Sequence, residues 1–240
     1  DIGNTLTKVC IFSKDKIEYF QQYQTGSNIT LKELFLSFNN IESSIISAVT
    51  KIPVDLISII EKKVKQTFVL DMNTLLPVRN FYKTPETLGK DRIAGIVGAY
   101  NIFPEKNVLV IDAGTAITFD FISNSAEYLG GNISPGLKMR FRALNHFTNA
   151  LPVIESQEDF PFIGKDTREA ILAGVQNGII FEMNSYIDKF SADYDDFEVI
   201  LTGGDTFFFA HKLKCPIFAE PFLVAIGLNR ILQYNVEKSK

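Results

Sequence analysis

The sequence predicts an α/β protein built from two similar halves. Residues 1–5 read DIGNT and residues 112–116, about halfway along the chain, read DAGTA. Each copy is followed first by short apolar runs typical of strands and then by longer patterns with helical spacing. Strands mixed with helices in this way favour the α/β class. We therefore expect two similar domains that face one another, residues 1–105 and 106–240.

Strands and helices can be assigned along the first half in order. Residues 7–13 and 17–23, joined by a polar turn, predict a hairpin. Further strands are expected at residues 45–49 and 68–70, and helices at residues 31–38, 53–63 and in the segment that holds Ile93, Ile96, Val97 and Tyr100. Thr30 is the predicted cap of the first helix, and Pro53 suits the first turn of the second. The irregular stretch 71–90 is of the length that often carries function.

The second half repeats this order. Strands are expected at residues 108–112, 116–122, 128–134 and 199–201, and helices at residues 137–144, 167–189 and 221–234. The three consecutive strands predict a second meander, and residues 150–164 predict a loop.

Composition excludes several functional classes. The 240 residues carry a net charge of −4, with Lys and Arg scattered, so we expect no nucleic-acid partner. No apolar run approaches the ~18 residues of a membrane span, so we expect no membrane association. Two cysteines and two histidines are too few for a disulfide framework or a zinc cluster. A reducing compartment, the cytoplasm, is the simplest interpretation.

The repeated pattern, Asp-x-Gly followed by a polar residue, suits phosphate binding. Glycine lets the backbone approach a ligand closely, and successive amides of a tight turn form an anion nest. In the first copy Thr5 can donate to a phosphate oxygen, Asp1 can hold hydrated Mg²⁺, and Lys8 can reach the same phosphates. A single copy is equally consistent with an ordinary hairpin turn, and the repetition favours phosphate binding. Walker, GxGxxG and protein-kinase motifs are absent from the sequence.

Two further segments have both a structural and a functional interpretation. Thr202-Gly203-Gly204-Asp205 is either a plain turn after a strand or a flat surface for adenine or ribose. Asp91 is either a first-turn acid that stabilises a helix or the base that accepts a hydroxyl proton during phosphoryl transfer. The irregular loop before Asp91 favours the base.

These motifs together resemble the type III pantothenate kinases, almost from end to end. The resemblance is carried by DIGNTLTK (1–8), the loop 82–92, DAGTAITFD (112–120), GGNISPGL (130–137), GKDTREAI (164–171) and LTGGD (201–205). It implies two ribonuclease-H-like domains of the actin-like ATPase type with a nucleotide cleft between them. It also implies a homodimer that transfers the γ-phosphate of ATP to pantothenate, the first step of coenzyme A synthesis.

The resemblance also implies roles for individual residues. Asp91 would be the proton acceptor, and Asp112 the ligand of a monovalent cation, K⁺ or NH₄⁺. Mg²⁺ would accompany ATP. The implied ATP contacts are Asp1, Ile2, Gly3, Asn4, Thr5, Leu6, Thr7, Lys8, Thr115, Gly203 and Gly204. The implied pantothenate contacts are Tyr82, Gly89, Lys90, Asp91, Arg92 and Thr167.

Two departures from the family pattern and two other functions remain. Lys90 stands where the family usually has a small residue, and we expect a few residues of a first strand to precede Asp1. The alternatives are another actin-fold small-molecule kinase, or a degenerate regulatory member of the family. Against the first, the segment 89–92 lacks the polar cluster that sugar hydroxyls need. Against the second, the chain retains Asp1, Asp91, Arg92 and Asp112.

Overall fold

The computed structural model describes residues 1–27, 29 and 31–239, in which strands and helices alternate. The strands are β1 Leu6–Ser13, β2 Lys16–Gln24, β3 Ser43–Ile46, β4 Gln66–Val69, β5 Arg79–Asn80, β6 Asn107–Ala113, β7 Ala116–Ile122, β8 Glu127–Pro135, β9 Phe197–Thr202 and β10 Phe218–Ala219. The helices are α1 Lys32–Ser37, α2 Val54–Glu61, α3 Lys90–Ile102, α4 Leu137–His146, α5 Thr167–Asp193, α6 Thr206–Ala210 and α7 Leu223–Lys238, with a short 3₁₀ helix at Pro85–Thr87. The predicted cap Thr30 lies outside the described residues.

The chain divides into two compact units that differ from the predicted domains at one end. Unit 1 comprises Asp1–Ile102 and Leu223–Lys240, and unit 2 comprises Phe103–Phe222. The last helix, residues 221–234, is predicted to belong to the second domain. It groups with the first because α7 packs closely on α3: a Cβ added to Gly227 would collide with the Ala94 carbonyl and lie 2.9 Å from the Gly98 nitrogen. Side-chain-free positions on both helices allow that contact.

Unit 1 contains the predicted hairpin and a small parallel sheet. β1 and β2 pair in antiparallel fashion, whereas β3 and β4 are parallel. Residue Ile2 joins the two sheets, because it bridges Thr7 of β1 on one side and Ala48 beyond β3 on the other. Ile2, Ile46 and Ala48 are buried together, and the apolar face of α2 packs against them. Residues 1–8, the first glycine loop, are therefore held by buried backbone at Ile2.

Unit 2 contains the predicted meander. β6, β7 and β8 are antiparallel neighbours, and β9 adds to β6 in parallel with β10 outside it. The core on one face of this sheet includes residues of β6, β7, β9 and α5: Leu109, Ile111, Phe119, Leu201, Ile179 and Met183. Since β6 and β9 are parallel and paired from Asn107 to Asp112, their carboxyl ends lie side by side.

The predicted loop at residues 150–164 contains no helix or strand. Two observed elements, α6 and β10, are not predicted from the sequence; both follow the Gly203-Gly204 turn. Within the described ranges, no helix combines the length and the apolar character needed to cross a bilayer.

Candidate active site

The glycine loop of unit 1 is a tight turn closed by paired backbone. The Asp1 nitrogen donates to the Lys8 carbonyl at 2.9 Å, and the Lys8 N–H donates back to the Asp1 carbonyl at 2.8 Å. Within that ring the Gly3 N–H donates to the Leu6 carbonyl at 3.0 Å. Residues 4 and 5 at the tip are exposed. This brings the predicted phosphate-binding residues 1–8 together in one compact loop.

Thr25, at the end of the hairpin, fixes the loop from the side. Its hydroxyl donates to the Gly3 carbonyl at 2.8 Å, and its N–H donates to the Thr5 carbonyl at 3.0 Å. The Thr25 hydroxyl also lies 3.2 Å from that of Thr7, which is buried. Sequence reasoning missed Thr25 because its partners are about twenty positions away and nothing in its own neighbourhood marks it.

One carboxylate oxygen of Asp1 has no hydrogen-bond partner in the part of the chain that the structure describes. This atom, Oδ1, is nonetheless inaccessible to solvent. A buried acceptor without a partner costs free energy, on the order of 1–3 kcal/mol. A carboxylate in this condition fits a hydrated divalent cation, whose bound water would supply the missing hydrogen bond.

The irregular segment before α3 is built from local turns. Asp71 accepts the N–H groups of Asn73 (2.8 Å) and Thr74 (3.0 Å). The Asn73 N–H is the main cause that lowers the pKa of Asp71, and the charge of Lys90 lowers it further. Asn235 of α7 holds the segment through hydrogen bonds to both backbone groups of Leu75. The segment is thus fixed to the same helix that packs on α3.

Five of the six predicted acceptor-binding residues gather around the start of α3, and the sixth, Thr167, belongs to unit 2. The Gly89 carbonyl accepts the Ile93 N–H at 3.2 Å, so the helix begins immediately after Gly89. Asp91 lies in the first turn, and its Oδ1 accepts the Arg92 N–H at 2.9 Å. A Cβ on Gly89 would come within 2.5 Å of that oxygen, so a larger residue would displace the carboxylate.

Arg92 and Tyr82 are in contact. The Arg92 guanidinium carbon lies 5.3 Å from the centre of the Tyr82 ring, and Arg92 is only 8% exposed. A guanidinium group over the face of an aromatic ring is attracted to it and held in place. Asp91, Arg92, Tyr82 and Gly89 therefore form one cluster, beside the half-buried Lys90.

In unit 2 the predicted cation ligand lies beside the predicted adenine-binding turn. Asp112 pairs with Thr202 across β6 and β9. Gly203 follows with φ of +97°, and a Cβ there would be 2.6 Å from the Ala113 carbonyl oxygen and closer still to Asp112 Oδ1. Only glycine suits both this backbone conformation and this proximity. Residues 112–114 and 203 form one small region at the sheet edge.

Asp205 belongs to the same region and was not among the predicted site residues. Its N–H donates to the Ala113 carbonyl at 2.9 Å, which ties the two loops together. Burial raises the pKa of the half-buried Asp205 carboxyl, and the positive charge of Lys138 on α4 partly offsets that rise. Asp205 stands in the LTGGD segment (201–205), but the prediction for that segment rests on Gly203 and Gly204 alone.

The remaining predicted residues of unit 2 are exposed. Thr115 is at the tip of the β6–β7 turn and Gly204 follows Gly203. Thr167 is the first residue of α5, whose cap Asp166 accepts the Glu169 N–H at 2.8 Å. Over the described residues, no group of three or more His, Cys, Asp or Glu side chains could hold a metal ion. A hydrated Mg²⁺ on ATP needs only one or two carboxylates.

A family model and two relatives of similar sequence point to the same protein family. The family model described as type III pantothenate kinase matches residues 1–189. A type III pantothenate kinase of Bacteroides fragilis is 44% identical over 235 residues, covering 98% of this chain and 96% of the relative. That of Phocaeicola vulgatus is 45% identical over 238 residues, covering 98% and 97%.

Solved structures support the same fold. A conserved putative Baf family transcriptional activator from Campylobacter jejuni is similar with a TM-score of 0.62 and 25% identity, covering 98% of this chain and 97% of that one. A putative 2-dehydro-3-deoxygalactonokinase from Sinorhizobium meliloti has a TM-score of 0.55 at 13% identity, covering 96% of each chain. The fold is thus α/β, as predicted, and the chain divides into two compact units.

Proposed function

Because the chain belongs to the type III pantothenate kinase family, we propose that its glycine loops hold ATP while the cluster at the start of α3 acts on the acceptor. The activity is phosphorylation of pantothenate by ATP with a divalent metal, the first step of coenzyme A biosynthesis. The observation that carries the assignment of residues is the cluster of Asp91, Arg92 and Tyr82 at one helix start.

Residues 1–8 bind the ATP phosphates. The loop presents exposed backbone at Asn4 and Thr5, and half-buried Lys8 brings a positive charge to its base. Asp1, with its unpartnered Oδ1, holds Mg²⁺ through water. When bound, the ion would neutralise charge on the β- and γ-phosphate oxygens. Thr25 keeps the loop rigid, so the donors are already oriented before the nucleotide arrives.

Asp91 accepts the proton of the attacking hydroxyl group. The hydroxyl oxygen forms the new P–O bond as the bond to the ADP oxygen breaks, and its proton passes to the Asp91 carboxylate. The Arg92 N–H bound to Oδ1 fixes the carboxylate orientation, so Oδ2 is the oxygen that faces the acceptor. Proton acceptance by a general base contributes about 10²–10⁴ to the rate.

Arg92 binds the pantothenate carboxylate, and Tyr82 contacts its apolar part. A guanidinium fork matches a carboxylate through two parallel hydrogen bonds. The ring of Tyr82 restrains that fork at 5.3 Å, and the same ring offers an apolar wall to the two methyl groups. Gly89 keeps the space beside Asp91 open, while Lys90 and Thr167 supply polar contacts.

Asp112 binds a monovalent cation, K⁺ or NH₄⁺, and Thr115 contacts ATP. The neighbouring Gly203 leaves the Asp112 carboxylate and the Ala113 carbonyl side by side, a set of oxygen donors that suits a weakly charged ion. Gly203 and Gly204 present flat backbone to the nucleoside of ATP.

A homodimer in the cytoplasm completes the proposal. Unit 2 exposes large apolar side chains, among them Phe162 and Phe181, which form an edge-to-face pair at 6.3 Å. Exposed aromatic clusters mark interaction surfaces. Light scattering should give twice the chain mass of 27.0 kDa, and Phe181→Glu should reduce it to a monomer.

The proposal is tested by ADP release from ATP with Mg²⁺ and K⁺. Pantothenate is compared with glucose, acetate and no acceptor. We expect turnover with pantothenate alone. The Asp91→Asn variant serves as the matched control and should release almost no ADP. Turnover with another acceptor would show that residues 82–92 bind that compound and not pantothenate. ATP binding without turnover would support a regulatory protein instead.

A further inference from the structure

Arg140 of α4 contacts three residues of unit 2, two at the end of β8 and one on α5. Its Nε donates to the Pro135 carbonyl at 2.8 Å, and its Nη2 donates to the Ser134 hydroxyl at 2.9 Å. Nη2 also forms an ion pair with Glu182 of α5. Both charged side chains are mostly buried, 22% and 24% exposed, so the pair is shielded from the solvent that weakens surface ion pairs.

The segment that Arg140 contacts, residues 134–136, packs directly against the second glycine loop, residues 112–116. Ser134 and Pro135 end β8 and pair with Ile117 and Ala116 of β7. Gly136 follows them, and a Cβ there would lie 2.5 Å from the Gly114 carbonyl oxygen and closer still to that of Thr115. The 134–136 turn therefore packs against the backbone of residues 114 and 115.

From these contacts we infer that Arg140 is a positioning residue, which with Glu182 holds the 134–136 turn against the Gly114–Thr115 loop. The inference rests on the proposed function, in which that loop binds ATP and the cation. Arg140 touches neither substrate. It acts through the turn: when the guanidinium fork is lost, the turn can retreat and the loop loses the backing that fixes the Thr115 hydroxyl and the Asp112 carboxylate.

A lysine cannot replace this arginine. The fork supplies Nε to one acceptor and Nη2 to two others at fixed angles, whereas a lysine ammonium is a single point at the end of a flexible stem. Glu182 in turn balances the guanidinium charge, so removal of the glutamate charge should weaken the same arrangement without removing the bonds to the turn.

The test compares Arg140→Met, Arg140→Lys and Glu182→Gln with the parent enzyme. We expect Arg140→Met to raise KM for ATP about tenfold, because the loop at Gly114 and Thr115 loses part of its fixed orientation. Half-saturation by K⁺ should rise similarly, while KM for pantothenate should stay within about twofold. Arg140→Lys should behave like Arg140→Met, and Glu182→Gln should lie between them and the parent.

A matched control is Lys189→Met, which removes an exposed ion pair with Asp193 in the same unit and should change neither KM. A purely structural role for Arg140 would lower the thermal midpoint and the fraction of active protein with both KM values unchanged, and that result would overturn the inference. Equal increases of both KM values would overturn it as well. If Arg140→Met does not fold, Glu182→Gln decides by the same criteria.

A failure of the proposed function can be distinguished from a failure of the inference about Arg140. If the parent protein does not phosphorylate pantothenate, Mg-ATP binding by calorimetry still compares the variants. A tenfold weaker binding in Arg140→Met would then support the positioning role, and unchanged binding would refute it.

Discussion

Replacing Gly203 with alanine tests the geometry of the cation and nucleotide region most directly. The new Cβ would be 2.5 Å from the Ala113 carbonyl carbon, where ordinary contacts begin at 3.4 Å, so the two loops must separate by about 0.9 Å. The φ of +97° adds about 1–2 kcal/mol for a residue with a Cβ. Overpacking adds about 1–3 kcal/mol. We expect a loss of about 3 kcal/mol in the free energy of unfolding.

The assay is thermal unfolding followed by a K⁺ titration of the activity. For a chain of this size about 3 kcal/mol corresponds to a fall of roughly 6–12 °C in the midpoint. Because the Cβ also meets Asp112 Oδ1, half-saturation by K⁺ should rise in the protein that remains folded. Gly204→Ala is the matched control, since a Cβ there meets nothing within 4 Å. Equal effects of the two substitutions would refute the steric argument.

Three further predictions concern the reaction itself. Asp91→Asn should lower kcat by about 10²–10⁴ with little change in ATP binding, measured by steady-state kinetics and calorimetry, because only proton acceptance is lost; near-normal turnover would remove Asp91 from the mechanism. Arg92→Lys keeps the charge but not the fork, so KM for pantothenate should rise at least about tenfold with KM for ATP little changed. Equal changes in both would contradict the carboxylate assignment. Replacement of K⁺ by Na⁺ should reduce the rate of the parent enzyme, and Asp112→Asn should abolish the difference. A parent enzyme that is indifferent to the cation would exclude this site.

Much of the fold could be predicted from local pattern. The β1–β2 hairpin, the β6–β8 meander and α5 follow from alternation or helical spacing within each segment, and the structure confirms them. The missed α6 reads TFFFA, a short run of bulky residues with weak helix propensity. It forms where Phe209 is fully buried and where Asp205 is tied to Ala113, contacts that the local sequence does not contain.

The residues of the candidate site also fall into two groups, those with a local sequence signal and those without one. The Asp and Gly residues can be identified from the sequence, because few structural needs explain Asp-x-Gly followed by a polar residue at two equivalent places in one chain. Thr25 and Arg140 gave no such signal, since each acts through backbone or carboxylate groups of distant segments. The grouping of α7 with unit 1 likewise depends on Gly98 and Gly227 meeting across more than a hundred residues.

That grouping sets the order in which the protein can fold during synthesis. Unit 2 is one continuous stretch, Phe103–Phe222, and can become compact once the ribosome has released it. Unit 1 is made first but must wait, because α3 lacks its partner until α7 emerges. During that interval the apolar residues of α3 around Ile93 and Ile96, buried in the finished unit, are open to chaperones or to neighbouring nascent chains. The half that carries the acceptor cluster is thus begun first and completed last.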